Sequence, residues 1–275
     1  MHRSMHGSSK QSRGRRGPVR VAAVAIVAAL LAVGATACEP PRAPAKDRVV
    51  IFVHGWSALG AGNDCNGNFG SLKTALRNDG FTGSLVTVGY YDSDRNCDVN
   101  LRSWGSISNS TSWKDLSKVF SKYVYETYTK KGIPVDLVGH SMGGLITRGA
   151  IQGAGAKESG FSAPLKVEDS VTFAAPFAGA AWFSQGCLWG QCSGLKPGAT
   201  DIKWLLTNGG PQGVDGTDWT AFGSTNDDTV PDESALNINV PAARKVLYSS
   251  LEHSDYMGNA AAQARAAKAL AEVDS

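Results

Sequence analysis

Hydrophobic residues fall along this chain in short continuous runs, separated by stretches whose apolar positions recur at helical spacing. Arg48-Val49-Val50-Ile51-Phe52-Val53 is such a run, β-branched and without polar alternation, the signature of a strand buried on both faces of a parallel sheet. Leu85 to Tyr91, Val135 to Val138, Val167 to Ala174, Thr217 to Phe222 and Arg244 to Tyr248 read as further strands. Between them, Ser71 to Asn78 reads as a helix closed by Gly80, and Leu145 to Gln152 as another. Trp113 to Tyr128 places Leu116, Phe120, Tyr123, Val124 and Thr127 on one helical face and ends at Lys130-Lys131-Gly132, which suits a helix C-terminus. A short helix is predicted over Asp201 to Leu206, and Ala260 to Val273 closes the chain as an Ala-rich helix. Strands alternating with helices predict an α/β fold: one domain around a doubly wound, mostly parallel sheet. In such sheets chemistry gathers at the carboxyl ends of the strands.

The beginning of the chain departs from this pattern. Arg3, Lys10, Arg13, Arg15, Arg16 and Arg20 precede an acid-free apolar run from Val21 to about Ala35, closed by Ala35-Thr36-Ala37. A basic region, an apolar run too short to span a bilayer and an Ala-x-Ala site make residues 1–37 a signal peptide. A Pro-rich linker over 38–46 and the folded domain over 47–275 follow. Two other routes of processing stay open. Cys38 stands where a lipoprotein signal carries its lipid-accepting cysteine, although Ala35 replaces the usual Leu, Val or Ile. A second Ala-x-Ala, Ala43-Pro44-Ala45, would be cut at the cost of Cys38. The expected location is therefore secreted, with a lipoprotein anchored through Cys38 as the alternative.

Removing those six basic residues turns a formal charge of +3 into −3, and no basic patch argues for nucleic acid. Setting Cys38 aside leaves four cysteines bound for an oxidising compartment, where an even count favours disulfides. Sequence proximity pairs Cys187 with Cys192 and Cys65 with Cys97. None shows Cys-x-x-Cys spacing, so no zinc site is expected. Asp92, Asp94 and Asp98 lie close enough to suggest calcium, but the glycine of an EF-hand loop is missing and Arg95 adds positive charge. A solvated loop is expected there, with no bound metal.

The chemistry centres on Gly139-His140-Ser141-Met142-Gly143, which follows a strand and opens a helix, the setting of a nucleophile elbow. A serine hydroxyl is a weak nucleophile and needs a base, which needs an acid to fix its tautomer. Of five histidines, His2 and His6 leave with the leader, His54 sits in the loop after the first strand and His140 is locked in the elbow. His253 remains as the base. The acid falls in the loop Gly223 to Pro231, where Asp227 and Asp228 are both available and Asp227 is favoured. Two backbone donors are needed for an oxyanion, and the N–H groups of Met142 and Trp56 are the natural pair.

Val53-His54-Gly55-Trp56, Gly139 to Gly144, Phe173 to Gly179, the Asp227 to Pro231 loop and His253 together resemble the small secreted bacterial triacylglycerol lipases of the α/β-hydrolase superfamily. The resemblance implies hydrolysis of carboxylic esters, particularly acylglycerols, through an acyl-serine intermediate and without a cofactor. The family usually shows Thr-Pro-His where this chain has Ala175-Pro176-Phe177, which bears on substrate preference more than on catalysis. Phe177, Trp182 and Trp189 are candidates for an apolar substrate wall, and the segment Phe177 to Gly216 for a small lid. The expected partners are a lipid or small ester and a lipid–water interface, for a monomeric protein. A short-chain esterase, an acyltransferase or a polyester hydrolase would use the same machinery, and a binding protein on this fold without turnover is the reading from a different class.

Overall fold

A continuous apolar strand can be stable only where both faces are covered, and β1 (Val49–Val53) shows how that is done. The computed structural model describes residues 45–180 and 190–272. In it, Val50 and Phe52 point to one side of the sheet and Ile51 and Val53 to the other, all fully buried. The first side is covered by α1 (Cys65–Asn78) and α7 (Ala260–Ala271). The second is covered by α2 (Trp113–Thr127) and α3 (Met142–Gly155), through Leu116, Phe120, Leu145 and Ile146. The period-2 alternation of strand side chains thus feeds two cores.

The remaining strands are β2 (Leu85–Gly89), β3 (Val99–Asn100), β4 (Val135–His140), β5 (Val167–Phe173), β6 (Asp218–Ser224) and β7 (Lys245–Tyr248). They form one seven-stranded sheet in the order β3-β2-β1-β4-β5-β6-β7, every pairing parallel. The chain winds outward from β1 to β3, then restarts on the other side of β1 with β4. That reversal makes the carboxyl ends of β1 and β4 the switch point of the sheet, the place where such folds bind ligands. Three short helices complete the fold: α4 (Gly190–Ser193), α5 (Thr200–Leu205) and α6 (Asp232–Ala235).

Two elements differ from the sequence expectation. Helix α1 starts at Cys65, six residues before the predicted Ser71, because the Asp64 side chain accepts from the Gly67 N–H at 2.9 Å and caps it. Phe69 and the Cys65–Cys97 disulfide anchor that first turn in place of helix propensity. The stretch between the second predicted strand and Trp113, for which no element is predicted, holds the edge strand β3 and a 3₁₀ turn at Leu101–Ser103. Strand β3 is only two residues long, below any periodicity signal.

The amino end of the sheet carries an unforeseen charge cluster. Arg48 donates through Nε to Asp136 Oδ1 at 2.9 Å and through Nη2 to Asp169. Burial raises the Asp136 carboxyl against the pull of Arg48, and burial with the Asp136 charge raises Asp169 above the ordinary carboxylate range. In α3, Arg148 is fully buried and donates to the carbonyls of Asn208, Gly209 and Asn237.

Residues 1–37, expected to be a signal peptide, lie outside the described residues, as do Cys38, Trp182, Cys187 and Trp189. Cys192 is disulfide-bonded.

Candidate active site

Strand β4 ends in a turn at Ser141 with φ 54° and ψ −128°, a conformation that costs an L-residue of order 1–3 kcal/mol. The glycines around it permit close contact: a Cβ on Gly143 would stand 2.0 Å from the Val53 carbonyl oxygen, and one on Gly139 2.6 Å from the Gly144 backbone. The Ser141 N–H donates to the Phe173 carbonyl at 2.9 Å, tying the turn to β5. The strand, sharp turn and helix expected around Ser141 are all present.

Ser141 Oγ lies 2.9 Å from His253 Nε2. The other ring nitrogen, Nδ1, lies 3.0 Å from Asp227 Oδ2 and 3.2 Å from Oδ1. His253 stands in the turn beyond β7, and Asp227 in the turn beyond β6. The Asp227 carboxylate is fully buried, and its Oδ1 accepts the N–H groups of Thr229 at 3.0 Å and Val230 at 2.9 Å. Burial works to raise its pKa, but the bond from His253 and those amide donors outweigh it and hold the carboxyl below the ordinary range. Asp228 is exposed and accepts only from the neighbouring Thr229 hydroxyl at 3.2 Å. Of the two adjacent aspartates, the structure brings Asp227 to the histidine.

His140, the residue before the serine, has a role the sequence reading did not find. Its Nε2 lies 2.8 Å from the His253 backbone carbonyl. Burial, with the neighbouring His253, lowers its pKa to about 3, so the ring is neutral and Nε2–H is the donor. The base is therefore held by its side chain at Asp227 and by its backbone at His140.

The serine opens into a cleft of about 330 Å³, lined by Trp56, Asn63, Asn68, Phe69, Met257 and the His253 ring among others. A larger depression of about 700 Å³ lies at the opposite ends of the strands, around Asp218, Arg244 and Glu272, and holds none of the residues expected to act. Met142 is the first residue of α3, so its N–H is one of the helix's amino-terminal donors beside the serine. Trp56 lines the same cleft from the loop after β1. The structure thus brings Ser141, His253 and Asp227 into one hydrogen-bonded chain, with Trp56 on the wall of the same cleft and Met142 at the start of the helix that follows the serine.

Phe177 does not join them. It is fully buried, with the Arg148 guanidinium 4.5 Å from its ring centroid. An aromatic face beneath a buried cation is a core contact, so Phe177 is not substrate wall. The Asp92 to Asp98 loop is largely exposed, as expected of a solvated loop, but its carboxylates accept from protein donors and Asp94 turns inward. Asp92 accepts from Asn109 Nδ2 at 2.6 Å and Asp98 from the Thr87 N–H at 2.8 Å. Asp94 is fully buried against His54, with Oδ2 2.9 Å from Nε2. Among the described residues no group of three or more metal-ligating side chains is assembled. The one disulfide within them is Cys65–Cys97, as sequence proximity suggested.

The sequence profile of the class 2 lipases matches residues 47–199. No curated protein matches the chain. Among solved structures, phospholipase PlaB from Legionella pneumophila superposes with a TM-score of 0.55 at 14% identity, covering 83% of this chain and 60% of its own. Aspergillus fumigatus lipase B gives 0.54 at 20% identity, with 84% and 56% covered. Bacillus licheniformis lipase BlEst2 in its propeptide form gives 0.50 at 17%, with 86% and 53% covered. This chain spans little more than half the length of these three proteins. At such identities the likeness is one of fold.

Proposed function

The chain belongs to the class 2 lipases, and on that premise we propose that it is a lipolytic serine ester hydrolase, that Ser141, His253 and Asp227 form its catalytic triad and that it acts outside the cell on acylglycerol esters. The observation that carries this reading is the unbroken chain of hydrogen bonds from Ser141 Oγ to His253 at 2.9 Å and on to Asp227 at 3.0 Å, at the base of an open cleft. His253 Nε2 takes the hydroxyl proton as Oγ attacks the ester carbonyl. Asp227 keeps the Nδ1–H tautomer in place and stabilises the imidazolium that forms. The developing oxyanion is received by the N–H groups of Met142 and Trp56. His253 then returns the proton to the leaving alcohol, and water repeats the sequence on the acyl-serine.

The cleft wall favours one refinement. Trp56, Phe69 and Met257 supply apolar surface, while Asn63, Asn68, Ser71 and Ser254 line the same cleft with polar groups. That mixture supports a short acyl chain, the esterase reading, beside the triacylglycerol one. A panel of nitrophenyl esters and triacylglycerol emulsions, run on wild type and Ser141→Ala, tests both. Turnover by wild type no greater than that of Ser141→Ala refutes the enzyme reading and favours the non-catalytic one. Activity confined to acetate and butyrate refutes the long-chain reading. Mass spectrometry of exported protein tests the location: a mature form starting after Ala37 or Ala45 is expected, and one starting at Met1 refutes it.

A further inference from the structure

The serine's partners are fixed by strands, but the loop expected to supply the second oxyanion donor has no ladder of its own. His54-Gly55-Trp56 passes so close to the nucleophile that a Cβ on Gly55 would stand 2.8 Å from Ser141 Cβ. A loop there must hold its direction to a fraction of an ångström, because donor geometry decides how much an oxyanion site contributes. The groups that hold it come from the far end of β2 and the segment after it. The Tyr90 hydroxyl donates to the Gly55 carbonyl at 2.6 Å, with the His54 carbonyl also in reach at 2.9 Å. The peptide unit is planar and trans, so the Gly55 carbonyl and the Trp56 N–H point in opposite directions within one rigid plane. Holding the carbonyl back therefore aims the N–H forward.

The His54 side chain is held in the same way. Its ring is fully buried and stacked on Tyr90 with centroids 4.2 Å apart, and its Nε2 meets Asp94 Oδ2 at 2.9 Å. Asp94 is fixed in turn by three backbone donors: Asn63 at 2.7 Å to Oδ1, and Tyr90 at 2.6 Å and Tyr91 at 2.8 Å to Oδ2. One carboxylate thus joins the end of β2, the start of the segment leading to α1 and the ring of the residue preceding Gly55. The Cys65–Cys97 disulfide ties the same two segments covalently.

We propose that Tyr90 and Asp94 are positioning residues of the oxyanion site, Tyr90 by orienting the Gly55–Trp56 peptide and Asp94 by locking the His54 ring beneath it. Neither touches substrate. The inference rests on the reading of Trp56 as an oxyanion donor. It follows that removing either hold misaims one donor while leaving the Ser141–His253–Asp227 bonds in place.

The test compares wild type, Tyr90→Phe and Asp94→Asn on a soluble nitrophenyl butyrate, with active serines counted by fluorophosphonate titration. Tyr90→Phe keeps the ring and loses only the hydroxyl, so it also serves if Asp94→Asn fails to fold. The expected result is a fall in kcat per titrated site of about ten- to a hundredfold with KM within about twofold of wild type. The Ki of a trifluoromethyl ketone, whose hemiketal oxygen takes the oxyanion position, should rise in proportion. A purely structural role would reduce the number of titratable serines and the melting temperature but leave kcat per site and Ki unchanged. That outcome in folded Tyr90→Phe, or in folded Asp94→Asn, overturns the proposal. A wild type that hydrolyses nothing and titrates no serine overturns the functional reading and this one with it, which separates the two failures.

Discussion

Asp227→Asn is a sharper perturbation here than the loss of a charge, because the structure dictates which way the new amide faces. Asp227 Oδ1 accepts the N–H groups of Thr229 at 3.0 Å and Val230 at 2.9 Å. An amide nitrogen cannot accept, so in the variant the oxygen keeps that place and the NH2 group takes the place of Oδ2, 3.0 Å from His253 Nδ1. There it donates to Nδ1, which must then be unprotonated, and the ring proton moves to Nε2, facing Ser141 Oγ at 2.9 Å. The base is left with no lone pair toward the nucleophile. A tautomer reversal of this kind lowers kcat by about 10⁴-fold, or about 5 kcal/mol of activation free energy. Asp228→Asn, at an exposed side chain bonded only to Thr229, should stay within about twofold of wild type. Steady-state hydrolysis of a soluble ester, normalised to titrated serine, measures both. A fall of less than tenfold for Asp227→Asn, or a larger fall for Asp228→Asn, would refute the reasoning.

Ser141→Gly should abolish turnover and yet stabilise the fold by about 1 kcal/mol, since glycine adopts the φ of 54° without strain; a melting temperature at or below wild type counts against stored strain at the elbow. Replacing both Cys65 and Cys97 with serine opens a link across a sequence separation of 32 residues, and the chain-entropy relation gives a loss of about 3.7 kcal/mol at 25 °C. Urea unfolding with and without reductant measures it, and a loss below about 1 kcal/mol would sink the estimate. Asp169 has its carboxyl raised above the ordinary carboxylate range in the fold by burial and the Asp136 charge. The protonated group's contribution is full below the ordinary carboxylate pKa of about 4 and is lost as pH rises through the raised value of the folded state. Stability should therefore decline as pH rises above the ordinary carboxylate range in wild type and less in Asp169→Asn; parallel curves for the two proteins would overturn this.

The strands and the reactive serine were legible because each rests on local signals. A β-branched run such as Val49 to Val53 can be stable in few settings, and Gly139 to Gly143 names its own turn. His253 was reachable by elimination among five histidines. What stayed hidden depends on contacts between distant segments. Asp94 looked like part of a solvated acidic loop, because the amides that neutralise it belong to Asn63, Tyr90 and Tyr91 and converge only after folding. Phe177 reads as an exposed aromatic in a Gly-rich segment until Arg148, buried on the facing helix, claims its ring. The choice between Asp227 and Asp228 is a matter of which way one turn points, and adjacent residues carry no periodicity that could decide it. The first turn of α1 is hidden by Asn66, Gly67, Asn68 and Gly70, poor helix formers whose segment is held by a cap and a disulfide.

The strand order also bears on when the protein becomes reactive. The elbow and the oxyanion loop sit on β4 and β1, side by side at the middle of the sheet. The acid and the base follow β6 and β7, at one edge. A chain synthesised only as far as β5 carries Ser141 and Trp56 but neither Asp227 nor His253. On the proposed triad, Ser141 thus meets its partners only once the segments beyond β6 and β7 are in place.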